Sequence, residues 1–232
     1  MNNSYPNLNP WLDETKPYKA GLTFEQVSEI YKIPIKNILR LAGNESTIGI
    51  SPNALKATQE ASKNSNFYDE PKSEKLTEAL KESFTAEGID MTNLGFVCGN
   101  GMDSVIEHVL TLFAKDGDSI IDLYPTFIYY NFAAKRLNLE IIEVAREFTE
   151  NNLELSYKVN ISKVINSLKD NTRVVFLCSP NNPDGGITDL KEIEELAKVL
   201  QEKNIILFVD HAYIEFADRK IFDARSIIEK YP

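Results

Sequence analysis

The fold is decided by residues Arg173–Asp210, RVVFLCSPNNPDGGITDLKEIEELAKVLQEKNIILFVD. Two short β-branched runs, Arg173–Cys178 and Ile205–Asp210, flank an amphipathic stretch, Leu190–Lys203. The runs are apolar on both faces, which marks strands of a parallel sheet covered on each side. The stretch between them repeats its apolar residues at helical spacing, with Asp189 beside Thr188 as an N-cap. Strand, helix and strand in this order form a βαβ crossover.

The same alternation extends upstream. Leu94–Cys98, Ser119–Tyr124 and Leu139–Val144 read as further strands. Met102–Ala114, Thr126–Leu137 and Ile161–Lys169 read as helices between them, and Thr23–Tyr31, Pro52–Lys63 and Ser73–Glu87 as helices before the sheet. The fold class is α/β, with a doubly wound, mostly parallel sheet. Asp223–Lys230 reads as one more helix, after which Tyr231–Pro232 stops the pattern with no strand to receive it. Residues 1–20, rich in Asn, Pro and Tyr without periodicity, read as an extended arm.

Composition removes several classes of function. The 232 residues carry 25 basic and 35 acidic side chains, a net charge of −10, which is the wrong sign for a nucleic-acid partner. There is no apolar run of roughly 18 residues for a membrane span. The polar N-terminus, MNNSYPNLNPWLDE, lacks an export signal, so the expected location is the cytoplasm. Cys98 and Cys178 lie inside apolar runs and read as reduced core residues, and no Cys/His cluster offers a metal site.

In open α/β sheets, ligands sit beyond the carboxyl ends of the strands, so the residues after each strand carry the chemistry. Gly99-Asn100-Gly101-Met102-Asp103-Ser104 leads into a helix whose first N–H groups suit an anion such as phosphate, although a plain strand-to-helix turn needs the same residues. Pro125-Thr126-Phe127-Ile128-Tyr129-Tyr130 places aromatics where they can stack on a flat ring or staple a helix. Ser179–Gly186 is a run of turn formers that also puts two adjacent amides, Asn181 and Asn182, at a strand end as neutral donors. Asp210 closes an apolar strand, so its carboxylate is desolvated and wants a cationic partner such as a protonated pyridine, with Tyr213 three residues on as a hydroxyl donor. An N-cap aspartate with an exposed tyrosine is the plainer alternative.

Taken together, the stretches LRLAGNESTIGISP (Leu39–Pro52), NFYDEP (Asn66–Pro71), GNGMDSVI (Gly99–Ile106), YPTFIYY (Tyr124–Tyr130), SPNNPDGG (Ser179–Gly186) and DHAYIEF (Asp210–Phe216) resemble the fold type I, pyridoxal-phosphate-dependent aminotransferases of class I/II, and among them the histidinol-phosphate branch. The resemblance implies the large domain of such an enzyme over 36–232, preceded by an arm and helix over 1–35, without the last strands of the sheet and the C-terminal small domain. It implies a pyridoxal 5'-phosphate cofactor held by backbone groups of Gly101, Met102 and Asp103 at its phosphate. Phe127 would stack on the ring, Asn182 and Tyr213 would meet the ring oxygen, and Asp210 the pyridine nitrogen. Asn44 would lie near the substrate carboxylate, and Tyr68 would reach the cofactor phosphate of a partner subunit in a homodimer. The reaction implied is amino transfer between an amino donor and a keto acceptor, with histidinol phosphate and 2-oxoglutarate as the best pair.

Several positions depart from the family pattern. The Schiff-base lysine stands in a Ser-Lys context beyond the aspartate matched by Asp210, whereas Lys220 and Lys230 lie in DRKIF and IEKYP. No catalytic residue is therefore assigned, and this chain by itself is expected to be inactive. Phe67 stands where an arginine is common, Phe127 where a tyrosine is usual, Met102 where a small residue is usual, and His211 in the usual glutamate position. A non-catalytic remnant or one half of a split aminotransferase is the alternative from another class, and threonine-phosphate decarboxylase-like and aromatic aminotransferase relatives share most of the motifs. A dinucleotide-binding oxidoreductase is disfavoured because the Gly99 loop lacks the third glycine. A sheet without its last strands is also expected to leave two unpaired edges and to fold poorly alone.

Overall fold

A computed structural model describes residues 9–12, 21–151, 154–218 and 222–231. Its elements are α1 (Phe24–Tyr31), α2 (Pro52–Ala61), α3 (Glu74–Ala86), α4 (Gly101–Phe113), β1 (Ser119–Asp122), α5 (Tyr129–Arg136), β2 (Glu140–Glu143), β3 (Glu147–Asn151), β4 (Glu154–Lys158), α6 (Ile161–Asn166), β5 (Thr172–Cys178), α7 (Leu190–Glu202) and β6 (Ile206–Asp210). By contact density the chain divides into residues 16–71 and a larger unit of 1–15 with 72–232.

In the larger unit, β1, β2, β5 and β6 form a parallel sheet in the order β2-β1-β5-β6. Period-2 alternation sends its side chains to two separate cores. Ile120, Val174, Phe176 and Cys178 face α4 and α5, meeting Ile106, Leu110, Tyr130 and Ala134. Ile121, Leu123, Val175 and Leu177 face α6 and α7, meeting Val164, Ile193, Leu196 and Leu200. Helices thus cover both faces, and the doubly wound expectation holds. α7 begins as its sequence dictates, with a reciprocal capping box between Asp189 and Glu192.

The chain leaves β1 for β2 through α5 on one face and leaves β5 for β6 through α7 on the other. The switch point therefore lies between β1 and β5, and the loops at their carboxyl ends border the crevice that such a reversal opens.

Two readings are corrected. Leu94–Cys98 is not a strand, because no described strand offers it a ladder. Its side chains still alternate, Leu94, Phe96 and Cys98 half-buried and Gly95 and Val97 exposed, with Phe96 packed on Phe84 of α3 at 5.9 Å between rings. The helix expected over Asp223–Lys230 is a 3-10 turn, Ala224–Ile227, where the Asp223 carboxylate accepts from the Arg225 N–H and tightens the backbone. In addition, β3 and β4 form an antiparallel hairpin, Glu147 opposite Lys158, in a stretch to which the sequence pattern assigned no element. The arm falls mostly outside the described residues; within it Pro10–Leu12 form a 3-10 turn, and the Trp11 indole donates to the Arg136 carbonyl at 3.3 Å.

Residues 16–71 carry α1, opened by a capping box between Thr23 and Gln26, and α2, opened by Pro52. None of the described side chains in this unit is buried.

Candidate active site

The carboxyl ends of β1, β5 and β6 lie side by side, since Asp122 registers with Phe176 and Cys178 with Asp210. Asp210 is 2% exposed. One of its oxygens accepts from the Tyr130 hydroxyl at 2.5 Å and the other from the Ala212 N–H at 3.0 Å. Among the described residues no lysine or arginine forms an ion pair with it. A buried carboxylate met only by neutral donors has capacity left for a cation, and a pyridinium N–H fits that requirement.

Tyr130 is held rigidly beneath. Its ring stacks on Phe176 at 4.5 Å and meets the edge of Phe127 at 5.6 Å. Burial, then the nearby Cys178 and Asp210, push its hydroxyl well above the usual phenol range, so it serves as a donor and not as a base. Burial and Asp210 likewise push the Cys178 thiol up to about 11, which leaves it protonated and unreactive. Phe127 is half-buried against the core that contains Tyr130 and Cys178, and Met102 packs on the same core from the first turn of α4.

At α4 the loop is shaped for close approach. A Cβ on Gly99 would stand 2.6 Å from the Ser104 hydroxyl and 2.9 Å from Val105, and Gly101 takes a positive φ of 77° with open space where its Cβ would be. Gly101 spends its own N–H on the Gly99 carbonyl at 2.9 Å, so the free helix-end donors come from Met102, Asp103 and Ser104. Burial, followed by the charge on Glu107, raises the Asp103 carboxyl above its ordinary value.

The loops after β1 and β5 are tied by Asn181, the first of the two adjacent amides. Asn181 is buried and its amide turns inward: it donates to the Pro125 carbonyl at 3.0 Å, accepts from the Thr126 hydroxyl at 2.9 Å and also donates to Asp184. The peptide bonds before Pro125, Pro180 and Pro183 are cis. Asn182, next in the loop, is half-buried, and its backbone bonds the Cys178 thiol. Tyr213 is half-buried and opens the short 3-10 turn Ile214–Phe216.

Two further residues at these strand ends carried no sequence signal. Arg146 is 5% exposed and bridges the exits of β1 and β5, donating from Nε to the Leu123 carbonyl and from Nη2 to the Cys178 carbonyl, both at 3.0 Å. Burial lowers its guanidinium below the ordinary arginine value. Asp122 is buried below it, and burial raises its carboxyl to about 6 against the pull of Asn131 and Arg146. Tyr130 stands in the aromatic run after β1, but no sequence signal pairs it with Asp210.

Asn44 and Tyr68 belong to the 16–71 unit. Asn44 has a left-handed φ of 53°, and Tyr68 is exposed at 105%. No described lysine is buried. The two that follow a serine, Lys63 and Lys163, are exposed and pair with Glu60 and Glu147, each at 2.6 Å. Lys230 pairs with Glu194, and Lys220 lies outside the described residues.

A doubly wound parallel sheet with a buried aspartate at a strand exit defines the class as an open α/β fold. The solved histidinol-phosphate aminotransferase of Sinorhizobium meliloti, in complex with pyridoxal-5'-phosphate, superposes with a TM-score of 0.75 at 19% identity, over 95% of this chain and 55% of that one. The family profile of aminotransferase class I and II matches residues 36–232, and the chain belongs to that family. Among curated relatives, histidinol-phosphate aminotransferase of Methanocella arvoryzae is 35% identical over 90% of this chain and 54% of its own length. That of Methanosarcina mazei is 32% identical over 90% and 53%. The chain thus spans about half the length of the curated relatives it matches.

Proposed function

We propose that these residues form the cofactor-binding half of a pyridoxal-phosphate-dependent aminotransferase acting on histidinol phosphate, in histidine biosynthesis. The observation that carries the reading is Asp210, a buried carboxylate at a strand exit whose partners are both neutral donors. The N–H groups of Met102 and Asp103, approached past Gly101, receive the cofactor phosphate. Phe127 lies against one ring face, Asn182 and Tyr213 donate to the ring oxygen, and Asp210 holds the proton on the pyridine nitrogen, itself fixed by Tyr130. Bound there, the cofactor supplies a protonated ring that withdraws electron density from the bond broken at the amino substrate's Cα.

Asn44 positions the substrate carboxylate, and Tyr68 serves the phosphate of a second copy in a homodimer. The amino group passes from a donor to a keto acid, 2-oxoglutarate being the acceptor in this reading. No described lysine is buried at this cradle, so these residues would hold the cofactor and orient its ring. The protein works in the cytoplasm; in keeping with this, no described helix is long and apolar enough to cross a membrane.

The test is an absorbance titration of the 232-residue chain with pyridoxal phosphate, followed by histidinol phosphate, threonine phosphate and tyrosine added in turn. Binding of the cofactor with a spectral response to histidinol phosphate alone supports the reading. A response only to threonine phosphate or tyrosine moves the substrate to that class, and absence of cofactor binding rejects the cradle.

A further inference from the structure

The imidazole of His211 sits among three chain segments and bonds two of them. It is half-buried, directly after Asp210. Nδ1 lies 2.6 Å from the Ser179 carbonyl oxygen, at the exit of β5, and Nε2 lies 3.0 Å from the backbone nitrogen of Ala224, in the C-terminal turn. A carbonyl only accepts and a backbone N–H only donates. The partners therefore assign the tautomer: Nδ1 carries the proton and Nε2 is bare.

Ser179 is itself a junction. It is fully buried, its N–H donates to the Asp210 carbonyl at 3.0 Å, and its hydroxyl accepts from the Thr188 N–H at 3.0 Å. Whatever holds the Ser179 carbonyl thus bears on both the Asp210 exit and the Asn181–Asn182 loop.

We propose that His211 is a positioning residue that clasps the exits of β5 and β6 to the C-terminal turn only while it is neutral, which makes the clasp sensitive to pH. A second proton on Nε2 would set two N–H donors against each other across the Ala224 contact. The charged groups facing the ring are Asp210 from its own strand exit and Asp223 and Arg225 from the turn; β5 presents the uncharged Ser179 carbonyl and α7 the apolar Ile193 and Ala197. Asp223 is bound to Arg225 through several hydrogen bonds, so its charge is largely compensated. Burial outweighs both carboxylates and holds the imidazole below its ordinary value. The sign follows: the clasp is complete above the ordinary histidine range, about 6.5, and is lost as pH falls through the lowered value of the folded protein. The rest of the turn stays attached meanwhile, because Arg225 bonds Glu87 at 2.9 Å and stacks on Phe84 at 4.3 Å, and Lys230 bonds Glu194.

The clasp needs no cofactor, and its test is run without one, so its failure is separate from a failure of the cofactor reading. Nitrogen-15 spectra of the histidine-labelled 232-residue chain are expected to show Nδ1 protonated and Nε2 bare at neutral pH. Exchange protection at the Ala224 amide, corrected for intrinsic pH dependence, is expected to fall roughly tenfold on acidification, the worth of one hydrogen bond. His211→Gln keeps one donor and one acceptor, so it is expected to retain protection and lose the pH dependence, whereas His211→Leu lowers protection at every pH. A proton on Nε2 at neutral pH, or unchanged acid sensitivity in His211→Gln, overturns the proposal, and the first needs no variant to fold.

Discussion

Two regions of this chain are built from similar apolar patterning and end differently. Between β1 and β6 the apolar residues pair across strands and pack on helices, so Ile120, Val174, Phe176 and Leu177 are fully buried. In residues 16–71 comparable side chains stay in solvent: Ile48 is exposed at 97% and Leu41 at 80%. Helix α1 has its caps and an apolar stripe, yet buries no residue. Local signals make helices, whereas a core needs a second surface to close against.

The sharpest way to break that comparison is to truncate one residue in each region. Phe176→Ala removes a ring stacked on Tyr130 and packed against Phe208 at 5.2 Å, and is expected to cost about 3–5 kcal/mol in urea unfolding. Ile48→Ala is expected to stay within about 0.5 kcal/mol. Equal losses would mean that 16–71 buries more than its exposure indicates.

A smaller effect tests the buried carboxylate under the site. Asp122 keeps its proton in the fold up to about 6 because burial penalises the charge, whereas the unfolded chain ionises near the ordinary aspartate value. Its contribution is therefore present at low pH and lost as pH rises through about 6. Asp122→Asn should match the parent at about pH 4 and exceed it by roughly 1–3 kcal/mol at neutral pH. A constant difference across that range would place the charge elsewhere.

Gly186→Ala probes the loop after β5. An added Cβ would stand 2.7 Å from the Tyr157 carbonyl of β4, a backbone atom that yields little, and the expected cost is roughly 1–2 kcal/mol in thermal melts. Gly95→Ala, where a Cβ meets nothing within 4 Å, is the control and should be near neutral.

How far the sequence could be read follows from the same contrast. Strands Ser119–Asp122, Thr172–Cys178 and Ile206–Asp210 were legible within about two residues because both faces are covered, which leaves an unbroken apolar run. Leu94–Cys98 has the same composition but no neighbouring strand, and strand identity depends on a ladder partner that composition does not encode. The hairpin of β3 and β4 carries no glycine turn between its strands, so no hairpin signal marks it in the sequence. At the site, Asp210 was legible as a carboxylate ending an apolar strand. Its partner Tyr130, 80 residues earlier, was not, and neither was Arg146, since contacts between separate strand exits exist only once the sheet has formed. Asn181 was legible as one of two amides in a run of turn formers, and its amide serves the turn, facing Pro125 and Asp184.

The central claim is that the carboxyl end of this sheet holds a pyridine cation through Asp210. The most direct measurement is the dissociation constant of pyridoxal phosphate for the 232-residue chain, compared between Asp210→Asn and Asp189→Asn. Loss of the buried charge at 210 is predicted to weaken binding at least tenfold, and loss of the exposed charge at 189, where asparagine still caps α7, to leave it unchanged. Equal affinities in the two variants, or no binding by the parent chain, would contradict the account.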